Sequence, residues 1–206
     1  MSRSLAVEPT ALPPGSAEAT AGTDTPAPRT LAQRMIFAWG VLGVIAVLGD
    51  AAFRLLRYAY VTLRGRELGA GELAFFLGFL AFILYTEGYR GFQKRFSPRS
   101  VARAAHLAHH PRPLSVLLAP IYAMALFGAT RRRVVASWLL VAGIVTLVLL
   151  VRLLPPVYRA LVDVGVGCAL VWGIVSLAVF SVLALRGRAL PVSPDLPGQN
   201  TGGSIL

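Results

Sequence analysis

Long uncharged apolar runs alternate along the chain with short stretches rich in arginine. The clearest is "VVASWLLVAGIVTLVLLV", residues 134–151, which carries no charge over 18 residues. At about 1.5 Å per helical residue such a run covers most of a hydrocarbon core about 30 Å thick. The same pattern predicts further spans at about 35–56, 72–89 and 161–185. A fifth segment, 114–129, sits at the lower limit of spanning length and carries Pro120 in its middle. The predicted fold class is all-α: a polytopic transmembrane helical bundle of four spans plus one re-entrant or fifth transmembrane helix. It would occupy 31–186, between tails at 1–30 and 187–206 whose Pro, Gly, Ser and Thr content predicts disorder. The first apolar run begins only near Met35, which does not fit a secretory signal.

Residues 85–112 break the pattern. Tyr85, Tyr89, Phe92 and Phe96 recur at steps of four, three and four, the spacing of one α-helical face, while Arg90 and Lys94 share another. Glu87, one turn before Arg90, is placed to pair with it, and Gly88 and Gly91 could allow a bend. Rings with polar edges favour the headgroup level, and long cationic chains reach from there to water and phosphate. The second span is therefore expected to run past the hydrocarbon into the interface. "SPRS" then reads as a restart, with Ser97 as N-cap and Pro98 at the first helical position. The predicted helix over 97–110 has Val101, Ala104, Ala105 and Ala108 on a weakly apolar face and Arg99, Arg103, His106 and His110 opposite. A basic amphipathic helix of this kind is expected to lie flat on an anionic membrane surface, binding more strongly as its histidines protonate near their ordinary pKa of about 6.5.

Composition agrees with the runs. Hydrophobic residues make up 56% of the 206 positions and charged residues only 14%, against about a quarter charged in an average soluble domain. The formal charge of +11 would point to nucleic acid in a soluble protein. Here the cations flank apolar runs, so no nucleic-acid partner is expected, and anionic membrane lipid or a membrane protein partner is. The single cysteine, Cys168, lies inside an apolar run and allows no intrachain disulfide.

Charge also bears on topology. If 114–129 dips in and returns, one side of the membrane holds 14 of the 20 Lys and Arg residues; if it crosses, the split is 11 to 9. The cytoplasmic excess of such residues favours re-entry, with the N-terminus cytoplasmic in a bacterial-type inner membrane.

Candidate chemistry is sparse. "HLAHH", His106, His109 and His110, resembles one histidine box of the membrane di-iron desaturases, but these are the only histidines present, too few for a two-iron centre. With no Cys or carboxylate within ten residues of them, no metal or other cofactor is expected. Asp50, Arg54, Arg152, Arg159 and Asp163 would share the non-cytoplasmic side and form a candidate charge network between the first and last hairpins. Gly165, Ala169 and Gly173, at spacing four, predict a small-residue ridge for close helix packing. The terminal "SIL" weakly matches a carboxylate-capture motif, and chance accounts for it. No catalytic residues emerge.

The expected function is accordingly a non-enzymatic accessory or assembly subunit. Its lipid- or partner-binding residues would be Tyr89, Arg90, Phe92, Lys94, Arg95, Phe96, Arg99, Arg103, His106 and His110. Two rivals are a small transporter or channel using Asp50 and Asp163, and an interfacial lipid-modifying enzyme using the His/Arg helix. Topology can be tested directly. With Cys168 replaced, a probe cysteine at Val157 should label from outside the cell if 114–129 returns, and from inside if it crosses.

Overall fold

The computed structural model describes residues 28, 30–128 and 131–188. The expected tails lie almost wholly outside that range, and the terminal "SIL" entirely so. Helix α1 spans Leu31–Leu63 and α2 spans Ala70–Ile83; a π-helical segment follows over Leu84–Phe96, then α3 over Ser97–His109. Two five-residue helices, α4 (Pro113–Leu117) and α5 (Ala119–Ala123), precede α6 (Arg131–Val151) and α7 (Pro156–Leu185). The described residues contain no strand. Four helices are long and apolar enough to cross a membrane: α1, the continuous helix Ala70–His109, residues 134–151 of α6, and α7.

Local chemistry sets the ends. Thr30 Oγ1 accepts from the Gln33 amide at 3.2 Å while Gln33 Oε1 accepts from the Thr30 amide at 3.1 Å, a reciprocal cap that starts α1 before its apolar run. Glu72 Oε2 accepts from the Gly69 amide at 3.0 Å to open α2. At the far end of α7, Gly187 takes φ 73°. The Gly187 and Arg188 amides then donate to the carbonyls of Ala184 and Leu183, the paired bonds of a glycine-terminated helix.

Helix α7 lies at the centre. Helix α1 runs antiparallel to it, with Leu56 at Gly167 and Tyr58 beside Arg159 at one end. At the other end Phe37, Val41 and Val44 share a core with Leu177 and Ala184. The continuous helix 70–109 runs the same way as α7. Phe75 meets Tyr158 edge-on at 5.4 Å, Phe79 lies at Gly165, Gly88 faces Trp172, and Val101 joins the core that contains Leu177. Gly165, Ala169 and Gly173 are all buried. At the two glycines the approach is made by rings. A Cβ on Gly165 would lie 2.7 Å from the Phe79 ring, and one on Gly173 would lie 2.6 Å from that of Phe92. Gly167 accepts Leu56 in the same way, at 2.7 Å.

Two expectations change here. The chain does not restart at Ser97, because helix is continuous through it: Ser97 is itself helical, and its amide donates to the Phe92 carbonyl five residues back. Its hydroxyl reaches the Gly173 carbonyl at 3.5 Å instead of capping. Helix α3 is also not a surface helix. Ser97, Val101, Ala104 and Leu107 are among its many buried residues, and it packs against α1, α5 and α7. The small side chains around its whole circumference, Ser100, Ala102, Ala104, Ala105 and Ala108 among them, let three helices approach at once.

Over 113–123 the chain forms two short helices in place of a single long one. Helices α4 and α5 are each about 7.5 Å long, and α5 lies in the angle between α1 and α3. Gly40 makes room for Ala104 and Ala119 together, and Pro120 rests on Gly43. Helix α6 stands outside this packing: none of its described side chains is buried. The short link 152–155 brings α6 back to α7 in sequence without laying the two helices together.

The glycine seats give a test. Gly173→Ala should force Phe92 aside and cost about 1–3 kcal/mol, as overpacking does. Gly49→Ala, where nothing lies within 4 Å, should leave the melting temperature in detergent unchanged or slightly raised. Equal behaviour of the two variants would refute the seating.

Candidate functional site

The residues expected to form a basic, aromatic belt are divided by the structure into an exposed set and a buried set. The division begins with winding. Over Leu84–Phe96 the backbone is π-helical, so each carbonyl accepts from five residues on and side chains four or five apart stand together. Pro98 follows directly; lacking an N–H, it removes a donor from the turn behind it. Tyr85, Tyr89, Arg90, Lys94 and Arg95, at steps of four and five, are all exposed. Tyr85 and Tyr89 stack with centroids 6.1 Å apart, and Lys94 Nζ sits 4.5 Å from the centre of the Tyr89 ring. An α-helical wheel puts the cations and tyrosines on different faces; π winding brings them to one.

The phenylalanines turn the other way. Phe92 and Phe96, edge to face at 5.5 Å, pack against the core, and Phe92 fills the space at Gly173. They are packing residues, not part of the exposed set. Glu87 is exposed, but among the described residues no ion pair joins it to Arg90. It folds toward Gly91, where an added Cβ would lie 3.1 Å from its Oε2.

The height of this face on the bundle also differs from expectation. Trp172 Nε1 donates to Gln93 Oε1 at 3.0 Å, and the Trp172 ring covers Gly88. With Ser97 and Phe92 at Gly173, the π segment is tied to α7 at residues 172–173. That point is about 24 Å from the first residue of α7 and about 20 Å from the last. The cations therefore lie beside the middle of an apolar helix, not beyond the end of one. On either side of this level α7 exposes Val171, Val175, Val179 and Val182.

Arg103 belongs to the buried set, at 1% exposure. Its Nε donates to the Tyr122 carbonyl at 2.8 Å, and its Nη2 donates to those of Phe127 and Gly128 at 2.9 and 3.0 Å. The guanidinium carbon stands 4.2 Å from the centre of the Tyr122 ring. A planar fork of fixed donors suits this task, because one side chain gathers one carbonyl from the end of α5 and two from the turn after it. Gly128 is needed there twice over: its φ is 63°, and a Cβ would meet the Tyr122 ring at 2.8 Å. Arg103 is thus a clasp for segment 113–128, not a surface cation. The run of small residues around α3 is the sequence signal that could have revealed this.

His106 and His110 stack at 4.7 Å near the end of α3, and His109 Nδ1 lies 2.9 Å from the Ala105 carbonyl. His106 and His109 are half-buried and His110 is exposed; with Arg103 buried and Arg99 half-buried, the outward face expected of Arg99, Arg103, His106 and His110 is not formed. No group of three His, Cys, Asp or Glu side chains comes together as a metal site among the described residues. Arg99 is half-buried on the same helix.

The candidate charge network resolves into local pairs. Asp50 and Arg54, at 2.8 Å, are both well exposed on α1. Arg159 and Asp163, at 3.8 Å, are on α7, where Asp163 is buried and Arg159 lies 4.1 Å over the Tyr58 ring of α1. Arg152 is exposed in the link before α7. Among the described residues no ion pair links the Asp50–Arg54 pair to the Arg159–Asp163 pair, or either pair to Arg152. No family model, curated protein or solved structure matches the chain.

Removing the clasp should be costly. Arg103→Ala removes the guanidinium donors from the Phe127 and Gly128 carbonyls and one donor from that of Tyr122, which keeps the Ala125 amide, at about 1–3 kcal/mol for a carbonyl left buried and unsatisfied. Hydrogen exchange over 113–128 should rise well before that of α7. Arg103→Lys, with a point charge in place of the fork, should recover only part of the protection.

Proposed function

We propose that the chain is a small integral membrane protein, a non-enzymatic accessory or assembly subunit. In this reading it contacts anionic lipid or a partner membrane protein through the exposed face of Tyr85, Tyr89, Arg90, Lys94 and Arg95. The observation that carries it is the convergence of three cations and two tyrosines on one outward face, held by Trp172 and the glycines of α7. Four helices able to cross a membrane support the setting. Two short helices at 113–123, each about a quarter of the hydrocarbon thickness in length, favour a re-entrant segment, and the Lys/Arg distribution favours placing its ends and the N-terminus on the cytoplasmic side of a bacterial-type inner membrane.

The test is native mass spectrometry of the gently solubilised protein from its own membrane. Truncating one partner of a buried charge pair costs about 2–5 kcal/mol, so Arg90→Gln, Lys94→Gln and Arg95→Gln together should weaken lipid or partner retention at least about a hundredfold. Arg103 is left intact, since changing it tests folding. Retention that survives the triple substitution unchanged would sink this reading.

A further inference from the structure

The height of the cationic face narrows what can occupy it. This step rests on the reading just given, that the face of Tyr85, Tyr89, Arg90, Lys94 and Arg95 is a contact surface. The π segment is anchored to α7 at Trp172 and Gly173, close to the midpoint of a 30-residue helix. Exposed apolar residues lie along the helices on both sides of this level. Val171, Val175, Val179 and Val182 are exposed on α7, Leu77 and Phe82 on α2, and Met35, Trp39 and Leu42 on α1. A bilayer that covers these residues places Arg90 and Lys94 near its centre.

Exposed cations at that depth are costly and need a counter-charge within reach. The chain supplies little of its own. Lys94 has the ring of Tyr89, and no ion pair among the described residues links Arg90, Lys94 or Arg95 to a carboxylate. Lipid phosphates lie at the membrane surface, roughly 15 Å from the centre, half of the core thickness. An extended arginine does not reach that far without thinning the bilayer. A carboxylate carried into the membrane on another helix meets the cations directly. Tyr85 and Tyr89 beside them add aromatic surface and hydroxyl groups for the contact. We propose that this face receives a transmembrane helix of a partner protein that bears a carboxylate near the middle of its span.

The experiment uses the full chain, donor-labelled at its C-terminus, in liposomes of zwitterionic lipid. Acceptor-labelled Leu/Ala transmembrane peptides carry one Glu at mid-span, one Glu at an end, or one Gln at mid-span. Energy transfer should show the mid-span Glu peptide binding about tenfold more tightly than either control, with that preference absent in the Arg90→Gln, Lys94→Gln double variant. Lys94→Glu should move the preference toward a peptide with Lys at mid-span, which separates charge recognition from loss of fold. Equal binding of the three peptides overturns the proposal. If they bind equally while the triple substitution still reduces retained anionic lipid, the occupant is lipid, and the broader reading stands. If neither changes, both fall. Self-association of the labelled chain that disappears in Asp50→Asn would assign the face to a second copy and likewise overturn the proposal.

Discussion

Phe79 and Phe92 lie over Gly165 and Gly173 of α7, in spaces that a single methyl group would fill. That constraint sets the height and rotation of the whole helix 70–109. With the rings seated, Trp172 can reach Gln93, Ser97 can reach the Gly173 carbonyl, and α3 is carried into the bundle beside α1. Ring against bare backbone is a dispersion contact, small for each atom pair and large in sum because so many atoms meet at close range. It needs glycine at those positions on the receiving helix.

A second consequence follows from the winding of 84–96. Bonding from each carbonyl to the residue five ahead changes which side chains share a face. It turns Phe92 and Phe96 inward while Tyr85, Tyr89, Arg90, Lys94 and Arg95 remain outside. Runs of π winding this long are rare, and shorter ones recur where function needs a local departure from the α-helix. Here the departure separates packing residues from contact residues within a single thirteen-residue stretch.

Arg103 shows how one cation can serve the interior. Its three backbone acceptors are the carbonyls of Tyr122 at the end of α5 and of Phe127 and Gly128 in the turn after it, and the ring of Tyr122 covers the guanidinium. Burial of a charge is tolerable when its donors are met, and the result is a short folded segment fastened to α3. The same residue type four positions earlier, Arg99, is only half-buried. Position along the bundle, not residue type, decides which role an arginine takes.

The helical class and the four long apolar helices were legible in the sequence, because the length of an uncharged run is a local property that hydrocarbon thickness selects. The small-residue positions on α7 were legible for the same reason: glycine at spacing four marks one face whatever approaches it. The partners at that face were not, since nothing local to Gly173 names Phe92. An α-helical wheel over 85–96 misplaced the cations because winding there is π-helical, and a polar–apolar wheel over 97–110 misplaced Arg103 because it cannot register carbonyls supplied by residues 122–128. The sequence by itself determined which segments must avoid water. Only the tertiary structure decided which charged groups lie inside the bundle and at what height the others stand, because both depend on contacts between residues far apart in the chain.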